Sequence, residues 1–282
     1  MPAVYAHQRF GDLVFDRLPE HLQAAFTPYK ESFYLGLEGP DILFYHKPFK
    51  SNATREKALT IHLLSAKDFF AQSAKRILAN KELSYPLSSP LAAYVAGFIC
   101  HFCLDNACHP SVYELEFTGV SHGLIESEFD KFLLIKDRGK AFGFNPALRI
   151  LNKKGVALAS ATALSVRESE IKRAIATIRF INGAFTCRVR LLHKLIHLFL
   201  RKIGKDDSYG GMFIHHDDHP QAQETAKKML VELENAVTPT ASLIANYFDN
   251  LETIVQTGVV NDEFDKNYTG GILDEFNQPT CR

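Results

Sequence analysis

Tryptophan is absent from this 282-residue chain, and neither sign of charge is in excess: 32 Lys and Arg face 32 Asp and Glu. A neutral balance removes any overall electrostatic case for binding duplex DNA or an anionic membrane and leaves only local patches. No charged region followed by an apolar stretch opens the chain at Met1 to His7, so no secretory signal is read there. Apolar stretches such as Leu91 to Ile99 are short and flanked by polar residues, so no transmembrane segment is expected. Cysteines number five, an odd count, and three crowd between Cys100 and Cys108. That usage fits free thiols in a reducing compartment rather than a disulfide framework, so the expected location is the cytoplasm. Strand-type alternation of any length and internal repeats are both missing. No Glu has a His three positions later, which excludes the Glu-x-x-His pairs of a ferritin-like di-iron bundle.

What is present is helical periodicity on a chain that is 46% hydrophobic, with 22 Phe to fill a core. Gly11 to Leu35 is apolar at helical spacing, and Gly39-Pro40-Asp41 is a break. A long helix is expected from about Ser51 to Ala79, then a Pro- and Ser-rich connector from Tyr85 to Pro90. Ala92 to Cys108 reads as a buried helix ending before Pro110, and His122 to Ile135 as another, with Ser121 as its cap. After an irregular stretch from Gly139 to Val156, Ser165 to Ile203 is again helical, with Gly204 as a stop. Asp206 to Pro220 is a polar turn, and Gln221 to Phe248 is one more helix, with a kink expected at Pro239. The expectation is an all-α protein, a single multi-helix domain over residues 1–260 followed by a loose polar tail, 261–282.

The most informative stretch is Ile99 to Glu126, which carries His101, Asp105, His109, His122 and Glu126 in the pattern His-x3-Asp-x3-His, then His-x3-Glu. Residues four apart share a helix face, so the first three form one stripe and the last two a second pair. Imidazoles and carboxylates converging from two helices are the donor set of a multinuclear zinc site. Ionisable groups on core helices are costly unless paired or bound to metal. Upstream, His7 lies in the N-terminal arm, Asp41 on a loop that could reach a cleft, and His62 within an apolar helix face. Each alone has an ordinary reading: a satisfied core histidine for His62, a turn or cap residue for Asp41, an i,i+4 pair for His101 and Asp105.

Taken in order, His7, Asp41 in GPDILF, His62, the HFCLDNACH block and the SHGLIE block resemble the zinc-dependent phospholipase C family and its relatives, the single-strand-specific zinc nucleases. The resemblance runs from about Ala3 to Lys136. It implies an all-helical fold holding two or three zinc ions in a cleft. Asp41, His62, His101 and Asp105 would hold one ion. His109, His122 and Glu126 would hold a second, and His7 would share a third with a bridging Asp105. Secreted members use a processed N-terminal residue at the third ion, whereas His7 here lies a few residues along the chain.

Other residues carry weaker signals. Cys100 and Cys103 read as small apolar fillers. Glu128 is six residues from His122 and points elsewhere, and His46 is expected to face solvent. His216-Asp217 is a dipeptide that some metal phosphohydrolases use, here in a polar turn. Arg190, Lys194, His197 and Arg201 line one face of a helix, read as a solvated face with phosphate or membrane contact as the alternative. The expected activity is hydrolysis of a phosphate ester, most simply a phospholipase C-like phosphodiesterase in which Asp41 orients or deprotonates the attacking water. The alternatives are a zinc nuclease or nucleotidase, and a non-catalytic, metal-stabilised helical binding protein. The expected partner is a phosphate-ester substrate, with phospholipid among the possibilities.

Overall fold

The computed structural model describes residues 4–79, 87–186, 188–202, 204 and 212–271. Among these residues there are twelve α-helices and no strand, which bears out the all-α expectation. In chain order the helices are α1 (Val4–Phe15), α2 (Glu20–Phe26), α3 (Lys30–Gly36), α4 (Ala53–Leu63), α5 (Lys67–Leu78), α6 (Pro90–Glu116), α7 (His122–Arg138), α8 (Val156–Leu164), α9 (Glu168–Phe185), α10 (Arg190–Lys202), α11 (Pro220–Asp249) and α12 (Leu251–Thr257). A short 3₁₀ segment, Gly39–Tyr45, follows α3.

Helix α6 is the axis of the molecule. Ser89 accepts the N–H of Ala92 to cap it, Pro90 occupies its first position, and α1, α3, α7, α8 and α11 pack around it. It is the one described helix long and apolar enough to cross a membrane, yet 83% of its most apolar window is buried inside the fold. A helix apolar all round belongs in a core. It does not stop before Pro110, as expected from the sequence, but runs through it to Glu116. A helical proline deprives the carbonyl four residues back of its partner. Here Gly270 seats against the Pro110 ring and the Asn106 carbonyl, so the interruption is covered by another part of the chain.

The other expected boundaries shift for local reasons. The long helix from Ser51 splits into α4 and α5, because Leu64 turns to an extended backbone and the Ala66 N–H is taken by the Lys266 carbonyl. Asn52 supplies the α4 cap, its side chain accepting from Arg55 N–H. Ser121 does sit at the cap position of α7, but its side chain makes no capping bond. Pro239 lies inside the continuous α11. Residues 261–271 are not loose: Phe264 and Tyr268 are fully buried in the main core, which runs from Val4 to Tyr268. Two aromatics among polar neighbours hide easily in a composition average. Residues 272–282 lie outside the described residues, as do 206–211 of the expected polar turn.

The tightest contact is the crossing of α3 and α6. A Cβ on Gly36 would lie 2.1 Å from the Tyr94 carbonyl oxygen, and one on Gly97 would lie 2.1 Å from that of Phe33. Alanine at a helical glycine ordinarily stabilises by about 0.5–1 kcal/mol. Gly97→Ala is expected to do the opposite, costing roughly 1–3 kcal/mol or more by overpacking. Urea unfolding would read this, and a neutral or stabilised variant would show that the two helices can part.

Candidate metal centre

The eight residues singled out from the sequence come together. Asp41, His62, Asp105, His109, His122 and Glu126 line one cleft of about 290 Å³, with Phe44, Leu59, Leu63, Tyr113 and Thr269. His7 and His101 sit behind it, in contact with Asp105. The i,i+4 stripe on α6 does what its spacing predicts. Asp105 lies between its helical neighbours, 3.1 Å from His101 Nε2 and 3.7 Å from His109 Nε2, and 3.4 Å from His7 Nε2. On α7, His122 Nε2 is 3.3 Å from Glu126, which is 3.7 Å from His109 Nε2. His62, in the last turn of α4, places Nε2 3.0 Å from Asp41.

Asp41 reaches the cleft because of Gly39. That residue adopts φ +51°, and a Cβ there would fall 2.1 Å from the His101 ring. Only glycine lets the backbone lie against the imidazole in this left-handed conformation. Pro40 then starts the 3₁₀ turn that carries Asp41.

Three groups of donors each gather within 4.8 Å: His7 with His101 and Asp105; Asp41 with His62 and His101; His109 with His122 and Glu126. The histidines are aimed from behind. Backbone carbonyls meet the Nδ1 of three of them: Ala58 at His62, Leu37 at His101 and Tyr268 at His109. Glu116 meets Nδ1 of His122 at 3.0 Å. A carbonyl can only accept, so Nδ1 carries the proton and Nε2 turns its lone pair inward, the arrangement seen behind metal-bound histidines. Sequence reasoning missed Leu37, Glu116, Tyr268 and the cleft residue Thr269. The carbonyls leave no side-chain signal, and Tyr268 and Thr269 sit in what reads as a tail.

The charges are strongly coupled. Burial alone would raise Asp105, but the imidazoles of His101, His109 and His7 hold it well below the usual carboxylate range. Burial is likewise outweighed at Glu126, where His122 and His109 hold the carboxyl down, and at Asp41, where His62 does. Conversely His101 is lifted to about 9, Asp105 and Asp41 overcoming its burial. His122 is lifted to about 9 by Glu126 and Glu116. His7 goes the other way, lowered by burial and by the stacked ring of His101, 4.4 Å between centroids. Beside them Glu38 is pushed up to about 8 by burial and by Asp41. Asp41 Oδ1 and His101 Nε2 make no other close polar contact than these ion pairs, with His62 Nε2 at 3.0 Å and Asp105 at 3.1 Å, among the described residues. Buried anionic and imidazole donor atoms gathered in this way fit cations as ligands.

The remaining candidates lie elsewhere. His46 is buried rather than solvent-facing, its Nε2 4.0 Å from Glu170. Glu128 is fully buried and pairs with Lys131 at 3.2 Å, away from the cleft. Burial pushes the Cys100 and Cys108 thiols well up, so both are neutral fillers. His216 stacks on Phe142, and Asp217 extends into solvent with its side chain 98% exposed, so the dipeptide gathers no donor set among the described residues.

Compared with known families, residues 6–176 match the family described as zinc-dependent phospholipase C. No curated protein and no solved structure matches the chain.

The electrostatics predict how the metal-free protein responds to pH. His101 and His122, raised to about 9 from about 6.5 in the unfolded chain, contribute stability fully below pH ~6.5 and lose it as pH rises through about 9. Asp105 and Glu126, depressed on folding, contribute above their ordinary range near pH ~4 and lose that as pH falls. In chelator, urea unfolding is therefore expected to show greatest stability near pH ~5–6.5 and a decline towards pH ~9. A flat profile over that decline would contradict the paired-imidazole picture.

Proposed function

Given that the chain belongs to the zinc-dependent phospholipase C family, we propose that it hydrolyses phosphodiesters of the phospholipid class, using two or three zinc ions held by the eight cleft residues. The observation that supports this best is the sharing of the cleft residue Asp105 by the Nε2 atoms of three imidazoles, His109 in the cleft wall and His7 and His101 behind it. The three donor groups suit three ions. Asp41, His62, His101 and Asp105 would hold one, His109, His122 and Glu126 a second, and His7 a third through Asp105.

When bound, the ions would supply Lewis-acid charge and acidify a coordinated water. The chain's own part follows from its geometry. Asp41 lines the cleft with Oδ1 3.0 Å from His62 Nε2 and its carboxyl held low, so at neutral pH it is an acceptor able to orient a water and take its proton. The water oxygen bonds to phosphorus as the phosphorus–oxygen bond to the alcohol breaks, and the departing alkoxide takes a proton. Phe44, Leu59, Leu63 and Tyr113 give the cleft an apolar wall, and Leu59 is half exposed at its side. Among the described residues no Lys or Arg lines the cleft, unlike the basic, aromatic groove that tracks a single strand. That observation favours the lipid-type diester over nucleic acid.

Three measurements test the reading. Protein purified without chelator is expected to carry two or three zinc ions per chain, and Asp105→Asn to lose most of them by metal analysis; a folded protein that takes up no added zinc would remove the centre. Zinc binding at neutral pH must displace protons from His101 and His122, so calorimetry in buffers of differing ionisation enthalpy should report about two protons released. Asp41→Asn, with zinc still bound, is expected to lower turnover of short-chain phosphatidylcholine by about 10²–10⁴-fold. Undiminished turnover would remove Asp41 from the chemistry.

A further inference from the structure

Helix α10 is built inside out. Its inward face is His193 and Leu200, with Ile196 and His197 half buried, while Leu191, Leu195, Leu198 and Phe199 are each more than half exposed. Arg190, Lys194 and Arg201 are exposed, as the sequence reading of a solvated face expects, and the leucines beside them are outside as well. On the neighbouring helix, Phe180 of α9 is 80% exposed. Between the two helices lies a groove of about 890 Å³ whose walls include Phe49, Phe180, Ile181, Leu192, Ile196 and Phe199. An apolar surface of this kind on a single chain marks a contact site.

Charge says what kind of contact. The chain as a whole is neutral, yet no Asp or Glu occurs between Glu170 and Asp206, while Arg188, Arg190, Lys194, Arg201 and Lys202 flank or lie on α10. All five are exposed. Arg190 lies 3.9 Å from Asp217 with both side chains in solvent, a pair that water screens. An outward stripe of Leu and Phe bordered by cations and free of carboxylates is the pattern of a helix that lies in the plane of a bilayer. Residues 171–205 carry nine Lys and Arg and no acid, whereas the rest of the chain has 23 Lys and Arg against 32 Asp and Glu, so the cations beside the outward leucines are a local concentration of positive charge suited to an anionic lipid surface.

We infer that α10 is an interfacial helix that docks the protein on an anionic phospholipid surface, with Leu191, Leu195, Leu198 and Phe199 at the acyl boundary and the flanking cations among the phosphates. The groove beside Phe180 and Phe199 would receive the apolar end of a lipid. This docking is independent of the ester the cleft cleaves, so it stands or falls separately from the proposed hydrolysis.

The absence of Trp makes the test direct. Leu195→Trp places a single reporter on the outward face of the full-length, zinc-loaded protein. Its emission is expected to shift to the blue on vesicles containing phosphatidylglycerol and to stay unchanged on phosphatidylcholine alone. By co-sedimentation, Arg190→Gln with Lys194→Gln should weaken partition to the anionic vesicles by roughly twentyfold, at about fivefold per cation. Circular dichroism and hydrolysis of soluble short-chain phosphatidylcholine should be unchanged in these variants. No shift and no sedimentation with anionic vesicles, on protein whose helical spectrum is intact, would overturn the inference. So would a blue shift that appears without lipid and grows with protein concentration, which would mean that a second copy covers the face.

Discussion

Everything in the cleft hangs on one buried carboxylate. Asp105 is buried on the central helix α6, where an isolated charge would be too costly to keep. Three imidazoles make it tolerable, and to reach it they must come from α1 and from one turn before and one turn after it on α6. That requirement ties the N-terminal helix to the axis of the fold. Asp130 of α7 reinforces the tie by accepting the backbone N–H groups of Tyr5 and Ala6 at 3.1 and 2.8 Å. Burial pushes the Asp130 carboxyl up to about 8 despite those two bonds. The molecule thus concentrates its electrostatic cost in one place and orders three helices to offset it.

The second half of the described chain, beyond the matched family region, encloses the first. Helix α11 packs along α6 and α7, and its neighbours bring Phe264 and Tyr268 back under the cleft. Lys131, almost fully buried, pairs with Glu128 and with Asp218 at 2.6 Å, which pins the segment before α11 onto α7. The eight clustered His, Asp and Glu residues therefore come from residues 7–126, while part of the packing behind them comes from residues after 212.

What could be read in the sequence was periodic. The i,i+4 placement of His101, Asp105 and His109, and of His122 and Glu126, converts spacing into proximity without any tertiary knowledge. Gly39-Pro40-Asp41 was legible as a break but not as a bridge, because the approach of Gly39 to His101 is a contact across sixty residues. Helix starts were legible near the capping residues Asn52 and Ser89, and at His122 without a capping bond. Where tertiary contact decides, as at Ala66 with Lys266 or Pro110 with Gly270, local patterning pointed to the wrong boundary. The solvated face of α10 was legible, with Arg190, Lys194 and Arg201 exposed, but the burial of His46 was not: amphipathicity says which residues share a face, and only packing says which way each face turns.

The carbonyls behind His62, His101 and His109 have a consequence for how such a centre can fail. They belong to Ala58, Leu37 and Tyr268, and a carbonyl is the one part of a residue that substitution leaves in place. Orientation of these rings is therefore encoded in the path of the main chain rather than in particular side chains. Drift in sequence around the cleft can proceed without loosening the imidazoles, whereas a cut or displaced backbone near Tyr268, more than a hundred residues from His109, would release that ring directly.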